Sequence, residues 1–159
     1  MIGPRTFNAG GQRVLQSEVE VEVPFHDSDP MGVTWHGNYF RYMETARAAL
    51  LDSIGYNFRQ MLDSGYYWPV VDARIKYVRP TTFGQRLRVT ATLAEYENRL
   101  KITYTIADVA SGDVVTEATT TQAAVHRERG EMSFVSPPVL IDKVRAALNA
   151  AAGGAGQAK

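Results

Sequence analysis

The feature that most limits how this chain can fold is a long apolar segment, residues 39–54, inside a sequence otherwise rich in strand patterns. Its apolar residues recur every three or four positions, at Tyr39, Met43, Ala46, Leu50 and Ile54. This spacing predicts an α-helix that begins near Gly37 or Asn38 and ends at Gly55. Further apolar residues between these positions widen the hydrophobic surface, so the helix needs burial on most sides.

A strand with one apolar face is predicted before this helix. Val19, Val21, Val23 and Phe25 alternate with three glutamates over residues 18–25. Side chains alternate between the two faces of a strand, so the valines and the phenylalanine should face the core and the glutamates should face water.

The region after the helix has the pattern of an antiparallel sheet. A short helix is predicted at 57–65, and a C-terminal helix should start after the two prolines at 137–138. Between them, turn residues separate predicted strands at 70–78, 87–93, 102–106, 114–126 and 132–135. One long helix with a series of hairpins belongs to the α+β class. We therefore expect a curved antiparallel sheet wrapped around the helix.

Composition narrows the classes of protein further. The length of 159 residues suits one domain, and the hydrophobic fraction of 45% is enough for a single core. We expect that domain over residues 15–149, between a flexible lead-in (1–14) and a flexible tail (150–159). The 17 basic and 17 acidic residues balance, which disfavours nucleic-acid binding, and the absence of cysteine excludes a thiolate nucleophile. No segment resembles a membrane span or a signal peptide, so a cytoplasmic protein is expected.

An acidic loop connects the first strand to the long helix. It carries Asp27 and Asp29, with Pro30 and Gly32 directly after them. Such residues are typical of an ordinary turn. The alternative is functional, because a carboxylate here lies beside the free backbone N–H groups of a helix start. Alternation does not choose between Asp27 and Asp29, since both would share one side of an extended backbone. Pro30 restricts the backbone of Asp29 toward an extended conformation. This gives Asp29 a defined orientation and favours it as the functional carboxylate.

The segment from this loop into the helix resembles the signature of hotdog-fold acyl-CoA thioesterases. It is most similar to the 4-hydroxybenzoyl-CoA thioesterase group and the Tol-Pal-associated thioesterases. The matching residues are Asp27, Asp29, Gly32, His36, Gly37, Asn38, Tyr39, Glu44, Ala46 and Arg47. The resemblance continues more loosely over residues 19–135.

This resemblance implies a hotdog fold, a homodimer or homotetramer with its active site between subunits, and hydrolysis of an acyl thioester without metal or cofactor. It places the essential carboxylate on Asp29 and the N–H that polarises the thioester carbonyl on His36 or Gly37. Asp29 would act as a general base or as a nucleophile. Residues assigned to substrate binding are Trp35, Asn38, Tyr39, Trp68, Arg99 and Lys101.

Some of these assignments compete with other interpretations. Trp68 belongs to an aromatic cluster for which core packing is the alternative to lining an acyl pocket. Some relatives bind the CoA phosphates with a basic cluster, of which only Arg99 and Lys101 could be the counterparts here. With so few basic residues, an acyl carrier protein remains an alternative to CoA as the carrier of the acyl group. A dehydratase would need His36 paired with Glu44. A metal site would need ligands such as His26, Asp27, Asp29 and His36, whose spacing matches no known ligand motif. A hotdog protein that binds acyl thioesters without turnover is the non-enzymatic alternative.

Overall fold

A computed structural model describes residues 5–7 and 13–157 of the chain. Its strands are β1 (Arg5–Phe7), β2 (Arg13–Glu22), β3 (Tyr66–Tyr67), β4 (Val70–Tyr77), β5 (Arg86–Glu95), β6 (Leu100–Asp108), β7 (Val114–Gln122) and β8 (Val125–His126). Its helices are α1 (Tyr39–Ser53), α2 (Phe58–Asp63) and α3 (Pro138–Gln157). Two 3₁₀ turns, Phe25–Asp27 and His36–Asn38, connect β2 to α1.

Six strands form one antiparallel sheet in the order β1-β2-β5-β6-β7-β4, with α1 against one face. The predicted helical positions Tyr39, Met43, Ala46, Leu50 and Ile54 are all buried in the core. The inward residues of β5 and β6 face them, because alternate positions of both strands are buried. The expected sheet around a central helix is therefore confirmed. The strands β3 and β8 form a separate two-stranded sheet.

The predicted first strand ends earlier than expected. Val23 is fully buried, but Phe25 is 74% exposed, so its assignment to the core face is wrong. The chain leaves the sheet at Glu22 and turns at Phe25–Asp27. Phe25 instead packs edge-on against Phe83 at the surface, with ring centroids 5.7 Å apart.

The local signals around α1 and α2 were mostly correct. Asn57 caps α2 by accepting from the Gln60 N–H, while the Gln60 side chain accepts from the Asn57 N–H. Gly55 follows α1 with a φ of +74°, the left-handed conformation of a helix stop. Asn38, however, precedes α1 without a side-chain capping bond.

Three boundaries differ from the predictions. Parts of the stretch 1–14 are strand, because Arg5–Phe7 pairs with β2 and β2 begins at Arg13. The strand predicted at 132–135 is reduced to a single bridge between Met132 and Val125, so that prediction is wrong. The helix α3 runs to Gln157, past the expected domain end at 149.

Candidate active site

The acidic loop folds into a tight turn that Asp29 itself builds. The Asp29 N–H donates to the Val33 carbonyl (2.8 Å), and Asp29 Oδ1 accepts from the N–H groups of Met31 (2.9 Å) and Val33 (3.3 Å). Gly32, at a φ of +83°, closes the turn. Oδ2 of Asp29 has no hydrogen-bond partner among the described residues, and the side chain is partly exposed. The turn therefore fixes one carboxylate oxygen and leaves the other available.

Asp27 has the opposite environment, with its side chain only 2% exposed. Its carboxylate accepts a hydrogen bond from Arg41 (2.9 Å) and another from the Tyr42 hydroxyl. Burial alone would raise the pKa of Asp27, but these bonds and the charges of Arg41 and His26 outweigh it and hold the pKa below its usual value. Asp27 is therefore a satisfied structural carboxylate.

The backbone of Asp27 joins the acidic loop to the helix start. Its carbonyl accepts from the Trp35 N–H (2.8 Å) and from Nδ2 of Asn38 (2.9 Å). Asn38 Oδ1 in turn accepts from Arg41 (2.6 Å). Asn38 therefore acts as a bridge between loop and helix, which explains why its side chain does not cap α1.

The helix start presents unused backbone donors. The turn His36–Asn38 continues directly into α1, so its first N–H groups have no partner within the helix. Within the described part of the chain, neither the His36 N–H nor the Gly37 N–H has a hydrogen-bond acceptor. A Cβ added to Gly37 would overlap the Trp35 indole, so glycine lets that ring lie against the turn. These donors follow the acidic loop by only a few residues, as the sequence predicted.

Tyr77 completes this region and was missed by the sequence analysis. Its hydroxyl donates to the His36 carbonyl (2.7 Å), and its ring meets those of Tyr39 (centroids 5.3 Å apart) and His36 (6.2 Å). Tyr77 is the last residue of β4, and its hydrogen-bond partner His36 lies 41 positions away in the sequence. No local pattern indicates such a contact.

The residues assigned to substrate binding divide into two groups. Trp35 is 51% exposed beside the helix start, where it can meet a ligand. Tyr39 is buried, and its hydroxyl shares a hydrogen bond with Thr81 (2.8 Å). Trp68 is also buried, with its indole N–H donating to the Tyr56 hydroxyl (3.1 Å). The structure thus favours core packing, the alternative interpretation, for Trp68.

Arg99 and Lys101 lie at the other end of the sheet. Lys101 pairs with Thr121, which pairs with Asp72 near the start of β4, whereas Tyr77 beside the helix start ends β4. Five residues of extended strand span about 17 Å. One chain therefore does not bring Arg99 and Lys101 together with the acidic loop.

A groove of about 270 Å³ runs along α1 between the helix and the edge strand β4. Its lining includes Phe40, Met43, Glu44, Arg47, Val70 and Ala73. Among the described residues, no ion pair joins Glu44 to Arg47. An apolar groove with a few polar groups, starting beside the helix start, is suited to an acyl group.

Other chemistries find less support in the described residues. No group of three His, Asp or Glu side chains lies close enough there to hold a metal ion. His36 and Glu44, which a dehydratase would pair, form no hydrogen bond or ion pair with each other in the same part of the chain. The His36 ring instead meets the rings of Trp35 and Tyr77. No helix among these residues is long and apolar enough to cross a membrane.

A curved sheet around one long helix, with an acidic loop beside the helix start, defines a hotdog-fold protein. The chain belongs to the thioesterase-like superfamily, whose family model matches residues 23–148. The fold is shared with the crystal structure of a hypothetical protein from Aquifex aeolicus (TM-score 0.72, 25% identity, 80% of this chain and 98% of that chain). A 1,4-dihydroxy-2-naphthoyl-CoA thioesterase from Synechocystis also has this fold (TM-score 0.71, 21% identity, 84% and 96% covered).

Two curated relatives carry names that describe thioester hydrolysis. The chain is 35% identical over 88 residues to "Putative acyl-CoA thioesterase YneP" of Bacillus subtilis, a match over 55% of this chain and 63% of the relative. It is 33% identical to "1,4-dihydroxy-2-naphthoyl-CoA hydrolase" of Thermosynechococcus vestitus, over 67% of this chain and 76% of the relative. The predictions of a hotdog fold and of a thioester hydrolase family are confirmed.

Proposed function

We propose that this protein is an acyl-CoA thioesterase in which Asp29 is the catalytic carboxylate and the helix start binds the thioester oxygen. One observation carries the proposal: among the described residues, an Asp29 oxygen without a hydrogen-bond partner and the unpaired N–H groups of His36 and Gly37 occur in the same region of the structure. Asp27 ties the two segments together through its carbonyl. Carboxylate and donors therefore belong to one fixed unit, as a hydrolytic site needs.

In this mechanism the thioester carbonyl oxygen lies at the Gly37 or His36 N–H, where negative charge develops as the carbonyl carbon is attacked. Asp29 takes a proton from the attacking water, or attacks the carbon itself and forms an anhydride that water then opens. In both routes the C–S bond breaks and the thiolate leaves with the electron pair. A thiolate is a good leaving group, so a strong general acid is not required.

The position of Arg99 supports a site shared between two copies of the chain. β4 is an edge strand with exposed Val70, Val71 and Tyr77, and such an edge needs pairing. Antiparallel pairing of two β4 strands would bring the start of one strand beside the end of the other. Arg99 of a second copy would then approach Asp29, where it can bind CoA phosphates. We propose a dimer of this kind, or a tetramer built from such dimers, in the cytoplasm.

The reaction is tested by the release of free thiol from a panel of thioesters. Aromatic acyl-CoA thioesters come first, because the Thermosynechococcus relative is named for one and because Phe40 lines the groove. Short-chain and long-chain acyl-CoA and acyl carrier protein thioesters complete the panel. We also propose that the protein belongs to the 4-hydroxybenzoyl-CoA thioesterase group, and we therefore expect it to prefer aromatic acyl-CoA thioesters. Binding of thioesters without thiol release would refute the proposed hydrolase.

A mixing experiment tests the shared site. In a mixed dimer of Asp29→Asn and Arg99→Ala chains, one site would combine the intact Asp29 of one copy with the intact Arg99 of the other. Activity at low acyl-CoA concentration should therefore rise above that of either variant alone after subunit exchange. A site contained in one chain would give no such rise. A monomeric mass by light scattering, for protein that is fully active, would also contradict the proposed dimer.

A further inference from the structure

The hydrogen bond from Tyr77 acts on the same peptide group that supplies a candidate oxyanion donor. The Tyr77 hydroxyl donates to the carbonyl oxygen of His36 at 2.7 Å. That carbonyl and the Gly37 N–H belong to one peptide unit, whose atoms are conjugated. A hydrogen bond accepted by the carbonyl draws electron density from the nitrogen, so the N–H becomes a stronger donor.

We propose that Tyr77 is a positioning residue that polarises the His36–Gly37 peptide and so strengthens the Gly37 N–H toward the thioester oxyanion. This inference rests on the proposed function, in which that N–H binds the oxygen. In this role Tyr77 contacts none of the reacting groups. It acts through the peptide alone.

The surroundings of Tyr77 suit a lasting donor. Its ring is held edge-on between the rings of Tyr39 and His36, which orients the hydroxyl toward the carbonyl. Burial, together with the neighbouring Tyr39, raises the pKa of Tyr77 above its usual value. The hydroxyl therefore remains protonated at neutral pH and can donate throughout the working range.

The geometry also limits what else Tyr77 could do. The hydroxyl has one proton, which it donates in the hydrogen bond to the His36 carbonyl, so this proton is not free for general acid catalysis. The bond joins the end of β4 to the helix start, two elements 41 positions apart in sequence. The same contact thus fixes the orientation of the peptide as well as its polarity.

The test is Tyr77→Phe, which keeps the ring and removes only the hydroxyl. Cooperative strengthening of roughly 10–30% per bond, applied to a donor worth about 10²–10³ in kcat, predicts a loss of about two- to eightfold in kcat with KM unchanged. Tyr67→Phe is the matched control, because Tyr67 is an exposed tyrosine on β3, outside the site. The control should retain both kcat and KM.

A second measurement reports on the peptide without any turnover. In ¹⁵N-labelled protein, the Gly37 amide nitrogen should resonate at lower chemical shift in Tyr77→Phe than in wild type, since its carbonyl partner has lost a hydrogen bond. Tyr67→Phe should leave that resonance in place. A kcat loss without the Gly37 shift would indicate a general structural effect and overturn the inference.

The two proposals fail in different ways. If wild-type protein releases no thiol from any thioester, the proposed function fails, and polarisation of the peptide is then decided by the Gly37 resonance alone. If wild type is active and Tyr77→Phe shifts the resonance but retains full kcat, the role in catalysis is refuted. A shifted resonance with reduced kcat and unchanged KM supports the inference.

Discussion

Replacement of Asp29 by asparagine should separate catalysis from folding. The change keeps the shape of the side chain and removes its negative charge. As the proposed general base or nucleophile, Asp29 should carry most of the turnover, and loss of a general base typically costs about 10²–10⁴-fold. Thiol release from the best acyl-CoA substrate, measured under saturation, gives this loss as a change in kcat.

The structure predicts that the fold will survive this change. Asp29 stabilises its turn through Oδ1, which accepts from the Met31 and Val33 N–H groups. Asparagine keeps a carbonyl oxygen there, so both bonds can persist. Alanine removes both, at about 0.5–1.5 kcal/mol for each bond. Since the site is partly exposed, we expect Asp29→Ala to lose about 1–2 kcal/mol of unfolding free energy and Asp29→Asn to lose under about 1 kcal/mol.

The pair of variants makes the reasoning testable. Both should be almost inactive, while only Asp29→Ala should show a clearly lower urea midpoint. Near wild-type hydrolysis by purified Asp29→Asn would refute the assignment, and Asp27 or Glu44 would be the next carboxylates to test. Equal stability losses in both variants would refute the proposed role of Oδ1 in the turn.

Three further changes test other parts of the site. Gly37→Ala should displace the Trp35 indole and disturb the donor turn, lowering kcat about 10- to 100-fold with little change in melting temperature; unchanged kcat would contradict the role of this turn. Because the pKa of Asp27 is lowered in the folded state, the unfolded chain binds its proton first, so unfolding free energy should fall as the pH drops below about 4. Asp27→Asn should make that decline in unfolding free energy with pH less steep, as measured by urea titrations. It should also cost much less activity than Asp29→Asn. A decline as steep as in wild type would show that other groups cause it. Arg99→Ala should raise KM for acyl-CoA about fivefold with kcat similar, as for loss of one exposed phosphate contact, and a loss confined to kcat would contradict it.

Local periodicity predicted the centre of the fold because burial follows it there. Met43, Ala46 and Leu50 recur at helical spacing and are all buried. The same reasoning failed at Phe25, since alternation continues in the sequence after the strand has ended. Pro24, which lacks an N–H for the sheet, was the signal that could have ended the strand earlier.

Pairing partners were harder to predict than segments. Residues 132–135 have suitable strand composition, but a strand forms only beside a free edge, and within this segment only Met132 forms a β-bridge. Tyr77 presents the same difficulty at the site, because its contact with His36 depends on where β4 ends relative to α1. Trp68 shows the limit for aromatic residues, since composition alone does not distinguish a pocket wall from the core.

The two aspartates of the loop show what sequence and structure each contribute. The resemblance selected Asp29 and Pro30 favoured it, whereas strand alternation alone left Asp27 equally placed. The structure supplies a physical difference, because the Asp27 carboxylate is buried against Arg41 and Tyr42 while Asp29 keeps one oxygen unpaired. A carboxylate already held by an arginine and a tyrosine is a poor base, since both bonds stabilise its charged form. Asp27 thus fixes the loop to the helix start through its backbone carbonyl, and among the described residues one Asp29 oxygen stays unpaired beside it, as the proposed catalytic role requires.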